Sequence, residues 1–388
     1  MPTVAVAAKI GWRQVARWRW RRQLLAEPAT ATAPDAVAVA SRLCGIPTQV
    51  GATATLIAGI RTGGPPGLDR LVEVERRLVR LWAMRGALHL LPADELDLWV
   101  GALTDRESRR RFPPSWERSH GVTAAQQHAI TDAVGEVLGP TGMTRRELAS
   151  AVVARIGEPA LAGALSLSWA MLLKPAAARG LLLSGPHVDP GLGFVSPTAW
   201  LGRPLVPPDP ATANRQVLLR FLAANGPATA VDVARWWGEA PTPARRWIRD
   251  NADALAEVEI DGEGGFVMRV EDVDELADTP DERAGEVGLL PSFDPWVVAP
   301  RSHRDRAVPA GHASAVSRSS GWISPVLVAD GEVVGTWRHE VRQRWSEMEI
   351  RLTPFGALSK RTLAGARWHA TRFGPLVRAK RVYIDVAA

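Results

Sequence analysis

The residues best placed to do chemistry lie in a short polar break, Pro47-Thr48-Gln49, inside the otherwise apolar stretch RLCGIPTQVGATATLIAGI, Arg42 to Ile60. A glutamine at such a break has two available roles: it caps exposed backbone groups at a helix end, or it turns its amide toward a ligand. Little else competes for a reactive part. The one cysteine, Cys44, sits among Leu43, Gly45 and Ile46 and reads as a small buried hydrophobe, which excludes an intrachain disulfide and any multi-thiolate metal centre. The eight histidines are scattered with no pair at ligand spacing, so no catalytic metal and no other cofactor is expected. Neither a nucleotide-binding glycine loop nor the spacing of a catalytic triad occurs.

The elements that position this break belong to a chain of 388 residues, a length that suggests roughly two to three domains. With 46% hydrophobic and 23% charged residues the composition is that of a soluble globular protein. No stretch reaches the ~18 uninterrupted apolar residues of a membrane span, and MPTVAVAAKIGWRQ lacks the basic start and long apolar centre of a signal peptide, so a cytoplasmic protein is expected. The net charge is +6 and the sequence pI 10.3, carried mostly by arginine. Arginine's planar fork suits phosphate and base edges, which makes nucleic acid the leading partner.

Three helices are predicted around the break: Gly11–Glu27 closed by Pro28, Pro34 to about Ile46, and about Gly51 to Ile60. They lead into short strands around Met84, Arg85 and Gly86, the outline of a winged helix. The outline recurs. Thr144 with Glu147, and Thr229 with Asp232, have capping-box spacing, each ahead of a further helix and a strand pair; in the later copy Thr242 is expected to cap and Pro243 to take the first turn. This predicts an α+β fold of three tandem winged-helix units at 10–118, 119–205 and 206–284, with GRPLVPPDPATAN near 202–214 as a linker. From 285 to 388 strand signals dominate, with an Asp330-Gly331 hairpin, so a β-barrel-like domain closes the chain. Basic groups at 13–22, Lys174–Arg179, Arg245/Arg246/Arg249 and Arg338–Arg381 are candidates to track a phosphate backbone. Trp18, Trp20, Trp236, Trp237, Trp337 and Trp368 lie beside arginines and are candidates to stack on sugars or bases, although most tryptophans should serve the core.

In order along nearly the whole chain, RWRWRRQLLAEP, RLCGIPTQV, LWAMRGALHLLPADELDLW, SWAMLLKPAAARGLLLSGP, FVSPTAWL, LPSFDPWVV and GWISPVLVADGEVVGTWRHE resemble the bacterial winged-helix DNA glycosylases that unhook alkylated purines and interstrand crosslinks. The resemblance implies a C-shaped clamp on double-stranded DNA and a monofunctional hydrolase acting as a monomer on bulky N7- or N3-alkylated purines, in repair or in self-resistance to a DNA-alkylating natural product. The family's catalytic element is Gln-aliphatic-Gln, with His or Asp variants. Here Gln49 matches its second position, while Pro47 and Thr48 occupy the first and middle ones. The same resemblance implies DNA contacts at Lys174, Arg179, Arg85, His89, Arg338 and His339. Pro47 keeps a second reading open, a DNA-binding protein that has lost turnover.

Overall fold

The computed structural model describes residues 10–26, 33–189, 191–318, 321–342, 344 and 346–387. The chain condenses into two units, Met1–Gly67 with Leu218–Ala388, and Leu68–Val217.

In the first unit, helix Trp12–Arg22 buries Val15, Trp18, Arg19 and Trp20. It ends earlier than predicted, because Leu24 takes a left-handed φ of +59° and turns the chain; Pro28 lies outside the described residues. Asp35 caps helix Ala36–Arg42 by accepting from the Ala38 N–H at 2.8 Å. Cys44 and Gly45, with φ of +58° and +104°, stop that helix short of Ile46. Strand Ile46–Pro47 and helix Thr53–Thr62 follow. Gly59 lets this helix approach helix Lys360–Leu376 closely: a Cβ at Gly59 would lie 2.5 Å from Leu376 Cδ1.

Helices Pro210–Asn225, Ala230–Trp237 and Pro241–Asp250 precede the hairpin Leu255–Ile260 and Glu263–Arg269. Thr229 and Asp232 form the expected capping box, and Ala228 bridges Val267. The next helix starts two residues earlier than read from Thr242: Ala240 is its N-cap and Pro241, with φ already set for helix, occupies the first turn.

A five-stranded sheet closes this unit, in the order Arg381–Val386, Glu347–Pro354, Glu332–Arg342, Val326–Ala329, Val287–Leu290. Asp330 and Gly331, at φ +48° and +81°, make the predicted hairpin turn. Helix Lys360–Leu376 covers the concave face, packing Ala366, Ala370, Phe373 and Leu376 on Leu289, Leu327, Trp337, Met348, Ile350 and Leu352. The last strand then runs parallel to 347–352. The sheet is a half-barrel filled by a helix.

The second unit holds the hairpin Leu78–Trp82 and Leu88–Pro92, hydrogen-bonded through the former to strand Leu183–Val188, which pairs with Gly191–Val195. Among its helices are Leu96–Ser108, Ala124–Val137, Arg145–Ile156, Leu161–Leu167 and Trp169–Ala178. Thr144 and Glu147 form their predicted capping box, and Met143 bridges Phe194. The order bridge, helices, hairpin thus occurs once in each unit. The proline-rich stretch after Gly202 is packed: Arg203 pairs with Asp97 at 2.6 Å, and Pro208 closes on Gly101. Among the described residues no single helix is long and apolar enough to cross a membrane, and no cluster of His, Cys, Asp or Glu is placed to hold a metal.

Candidate active site and nucleic-acid contacts

Pro47 and Thr48 are half-buried, and Gln49 is exposed in the bend that joins strand Ile46–Pro47 to helix Thr53–Thr62. The helix does not use Gln49 as a cap. Its N-cap is Ala52 without a side-chain bond, and the Thr53 N–H donates to the Val50 carbonyl at 3.0 Å. Neither the Gln49 amide nor the Thr48 hydroxyl hydrogen-bonds to any described residue, so both keep their capacity for water or a ligand. The two carboxylates nearest in sequence are committed elsewhere: Asp35 to its helix cap, Asp69 to an ion pair with Arg80 at 3.3 Å.

The loop Pro291–Asp294 fastens the helix that follows Gln49 at both ends. Thr53 Oγ1 and Ser292 Oγ lie 2.9 Å apart, and Arg61 donates to both carboxylate oxygens of Asp294 at 2.8 and 2.9 Å. Arg61 also donates to the Gln23 and Ile57 carbonyls, while Asp294 accepts from the Trp296 N–H and so starts a short helix. The sequence signal for this anchor was the Asp-Pro pair in LPSFDPWVV, a helix start; the partner on residue 61 had no local signature.

In the second unit, Arg85 occupies the tip of the hairpin with φ +53°, and Lys174 reaches that tip, its Nζ 3.2 Å from where Gly86 would carry a Cβ. His89, on the outgoing strand, is buried; its Nδ1 lies 2.9 Å from the Ala87 carbonyl. Burial, with the Arg85 charge added, lowers its pKa to about 3, so the buried ring is neutral at physiological pH and carries no charge to offer a phosphate. Burial and the positive charges of Arg110 and Arg106 hold the Lys174 ammonium below the usual lysine range. Lys174 thus stands beside the hairpin tip of Arg85 and near two further arginines, Arg106, which donates to the Ala83 carbonyl at 3.1 Å, and Arg110, which pairs with Glu107 at 2.7 Å. These two arginines were missed, although the run DRESRRRF pointed to them. Helix Trp169–Ala178 continues through Pro175, so Lys174 is not a helix end. Arg179 is separate, ion-paired with Asp132 at 2.7 Å.

Arg338 and His339 are exposed on strand Glu332–Arg342, where Arg338 stands opposite Arg351 and His339 opposite Ile350. Arg245, Arg246 and Arg249 are exposed on helix Pro241–Asp250. The arginine helix is a correction to the sequence reading. Arg19 is buried and donates to the Trp296 and Ala299 carbonyls, Arg21 donates to Thr279, Arg22 pairs with Asp272 and Glu275, and Arg17 with Glu286. Its charges are spent inside the protein. Five of the six tryptophans flagged for stacking are likewise core residues: Trp18, Trp20, Trp236, Trp237 and Trp337 are buried, and Trp368 alone is exposed. Periodicity cannot tell an indole that packs from one that stacks on a ligand.

The sequence pattern of the DNA glycosylase AlkZ-like family matches residues 40–376, a span that holds all the candidate residues from Pro47 to His339. The chain belongs to this family. As an AlkZ-like chain it is 36% identical over 352 residues to an interstrand DNA cross-link repair glycosylase of Streptomyces sahachiroi, covering 89% of this chain and 91% of the relative. The solved structure of the Streptomyces sahachiroi DNA glycosylase AlkZ superimposes with a TM-score of 0.86 at 33% identity, over 98% of this chain and 100% of the other. An AlkZ-like DNA glycosylase is a hydrolase of the base–sugar bond, and its partner is DNA carrying damaged bases.

Proposed function

We propose that this AlkZ-like protein is a monofunctional glycosylase that removes bulky N7- or N3-alkylated purines and unhooks interstrand crosslinks, with Gln49 as its catalytic residue. The observation that carries the reading is the exposed Gln49 amide, which neither caps the following helix nor bonds to a described residue, in the bend that leads into a helix anchored at both ends. An alkylated purine is cationic and departs neutral, so the protein need not supply a proton. What remains is to hold a water against the anomeric carbon and to favour the positive charge that develops there. The Gln49 carbonyl dipole does both, though it is no true base, and a few kcal/mol suffices because the bond is already weak. The Thr48 hydroxyl is the one side-chain donor beside it that stands in for the residue replaced by Pro47.

In this reading the repeated helices and hairpins are winged helices, divided at 10–118, 119–205 and 206–284 with the half-barrel domain at 285–388, and the protein works as a monomer on duplex DNA in the nucleoid. Lys174, Arg85 and Arg338 provide phosphate contacts; Arg179 joins them by exchanging Asp132 for phosphate, and His339 lies beside Arg338 at the groove. Repair and self-resistance to a DNA-alkylating natural product are the roles in view. The relative named for cross-link repair supports the substrate class.

Pro47 favours a second reading, a DNA-binding protein that recognises damage without turnover, because proline supplies neither a side-chain acceptor nor a backbone donor. Incubation with duplex DNA containing a bulky N7-alkylguanine separates the two. The enzyme releases the base and leaves an abasic site, and Gln49→Ala abolishes release at unchanged thermal stability; binding without release, in parent and variant alike, leaves the second reading standing.

A further inference from the structure

The loop that anchors the Gln49 helix has a third residue between its two anchors. Phe293 stands at φ +57°, a left-handed conformation that is a genuine outlier for a bulky side chain and one that glycine would adopt without strain. It persists because Ser292 and Asp294 are fixed on either side, by the Thr53 hydroxyl and by the Arg61 guanidinium. The conformation half-buries the Phe293 ring against the cluster of Trp296, Val297 and Ile323 and sets it edge-to-face on Trp322, with ring centroids 5.1 Å apart and planes at 78°.

Trp322 is 37% exposed. The other exposed tryptophan among the described residues, Trp368, carries the Arg372 guanidinium 4.6 Å over its ring. Trp322 has no such cover: Phe293 is its one ring contact among the described residues. An edge-to-face contact covers at most one face of the indole, and a hydrogen bond, Thr53 to Ser292, links this pair to the first turn of the helix that follows Gln49. An open indole face on a protein that works on DNA has a matching partner in the π-face of a nucleobase.

We propose that Trp322, held by Phe293, stacks on a nucleobase at or beside the damaged position, and so contributes to discrimination between alkylated and intact duplex. The placement of that base rests on the Gln49 reading; the stacking itself is measured separately. The probe is a duplex with one N7-methylguanine and an adjacent 2-aminopurine, bound by full-length protein in a Gln49→Ala background so that no turnover intervenes. Binding is expected to quench the 2-aminopurine. Trp322→Ala should lose the quenching and bind the alkylated duplex about ten- to a hundredfold more weakly, Trp322→Phe should restore most of both, and Trp368→Ala should change neither. Should Trp322→Ala unfold, Phe293→Leu gives the same comparison with the indole retained but unsupported. Quenching and affinity unchanged in Trp322→Ala, or lost equally in Trp368→Ala, would overturn the proposal. Failure of Gln49→Ala to stop base release would instead overturn the catalytic assignment and leave these binding results interpretable.

Discussion

Arg61 and Asp294 face each other as a two-pronged ion pair, at 2.8 and 2.9 Å, with neither side chain reaching solvent. The pair joins the helix that follows Gln49 to the loop carrying Phe293. Removing one partner strands a charge in the interior, so Asp294→Ala is expected to cost about 3–5 kcal/mol in urea unfolding, whereas an apolar replacement of both residues should cost far less. A loss below about 1 kcal/mol would mean that water reaches the site and the anchor is not a dry one.

Position 47 should govern turnover. A glutamine there restores a second carbonyl dipole beside Gln49, and Pro47→Gln is expected to raise single-turnover release of the alkylated base by roughly a hundred- to a thousandfold, in keeping with the worth of one preorganised group. Equal rates in parent and variant would show that Thr48 or a water already fills the role.

Lys174 should act as a point contact to phosphate. Its replacement by alanine is expected to weaken duplex binding about equally across sequences and to reduce the slope of log affinity against log salt by about 1. Burial and the neighbouring arginines hold its pKa below the usual lysine range, so as pH rises the contact should fade earlier than an ordinary lysine contact would. Lys174→Arg should remove that fading. An unaltered salt slope in Lys174→Ala would place the ammonium off the DNA.

The buried and half-buried histidines set a pH window for stability. His89 titrates near 3 in the folded state and near 6.5 in the unfolded chain. Its contribution is therefore complete above about pH 6.5 and is lost as pH falls toward 3, at up to about 1.4 kcal/mol per pH unit, because only the unfolded state takes up the proton. His369, lowered to about 4, and His303, lowered well below its usual value, act in the same direction. Urea unfolding at pH 7 and pH 4.5 should show His89→Leu to be less acid-sensitive than the parent; parallel curves would mean that His89 gains a proton without opening the hairpin 78–92.

The local chemistry of helix starts and turns was legible in the chain itself. Thr144 with Glu147, Thr229 with Asp232, and Asp330-Gly331 were read correctly because each depends on residues one to three apart. The helix ends around Gln49 were misjudged by several residues, since left-handed turns at Leu24 and Cys44, and not a proline or a cap, end those helices.

What the tertiary structure decided is which charges and rings remain for a ligand. Arg13, Arg17, Arg19 and Arg22 look in sequence like a phosphate track, yet carboxylates and carbonyls some 200 to 280 positions away take up their donors. The Gln49 stretch could be located from the polar break and the family pattern, but its freedom from capping, the Arg61–Asp294 anchor behind it and the exposed Trp322 beside that anchor arise from contacts between distant segments. Sequence periodicity records that a side chain has polar or apolar neighbours along its own element; only the packed chain supplies, or withholds, the partner across the gap.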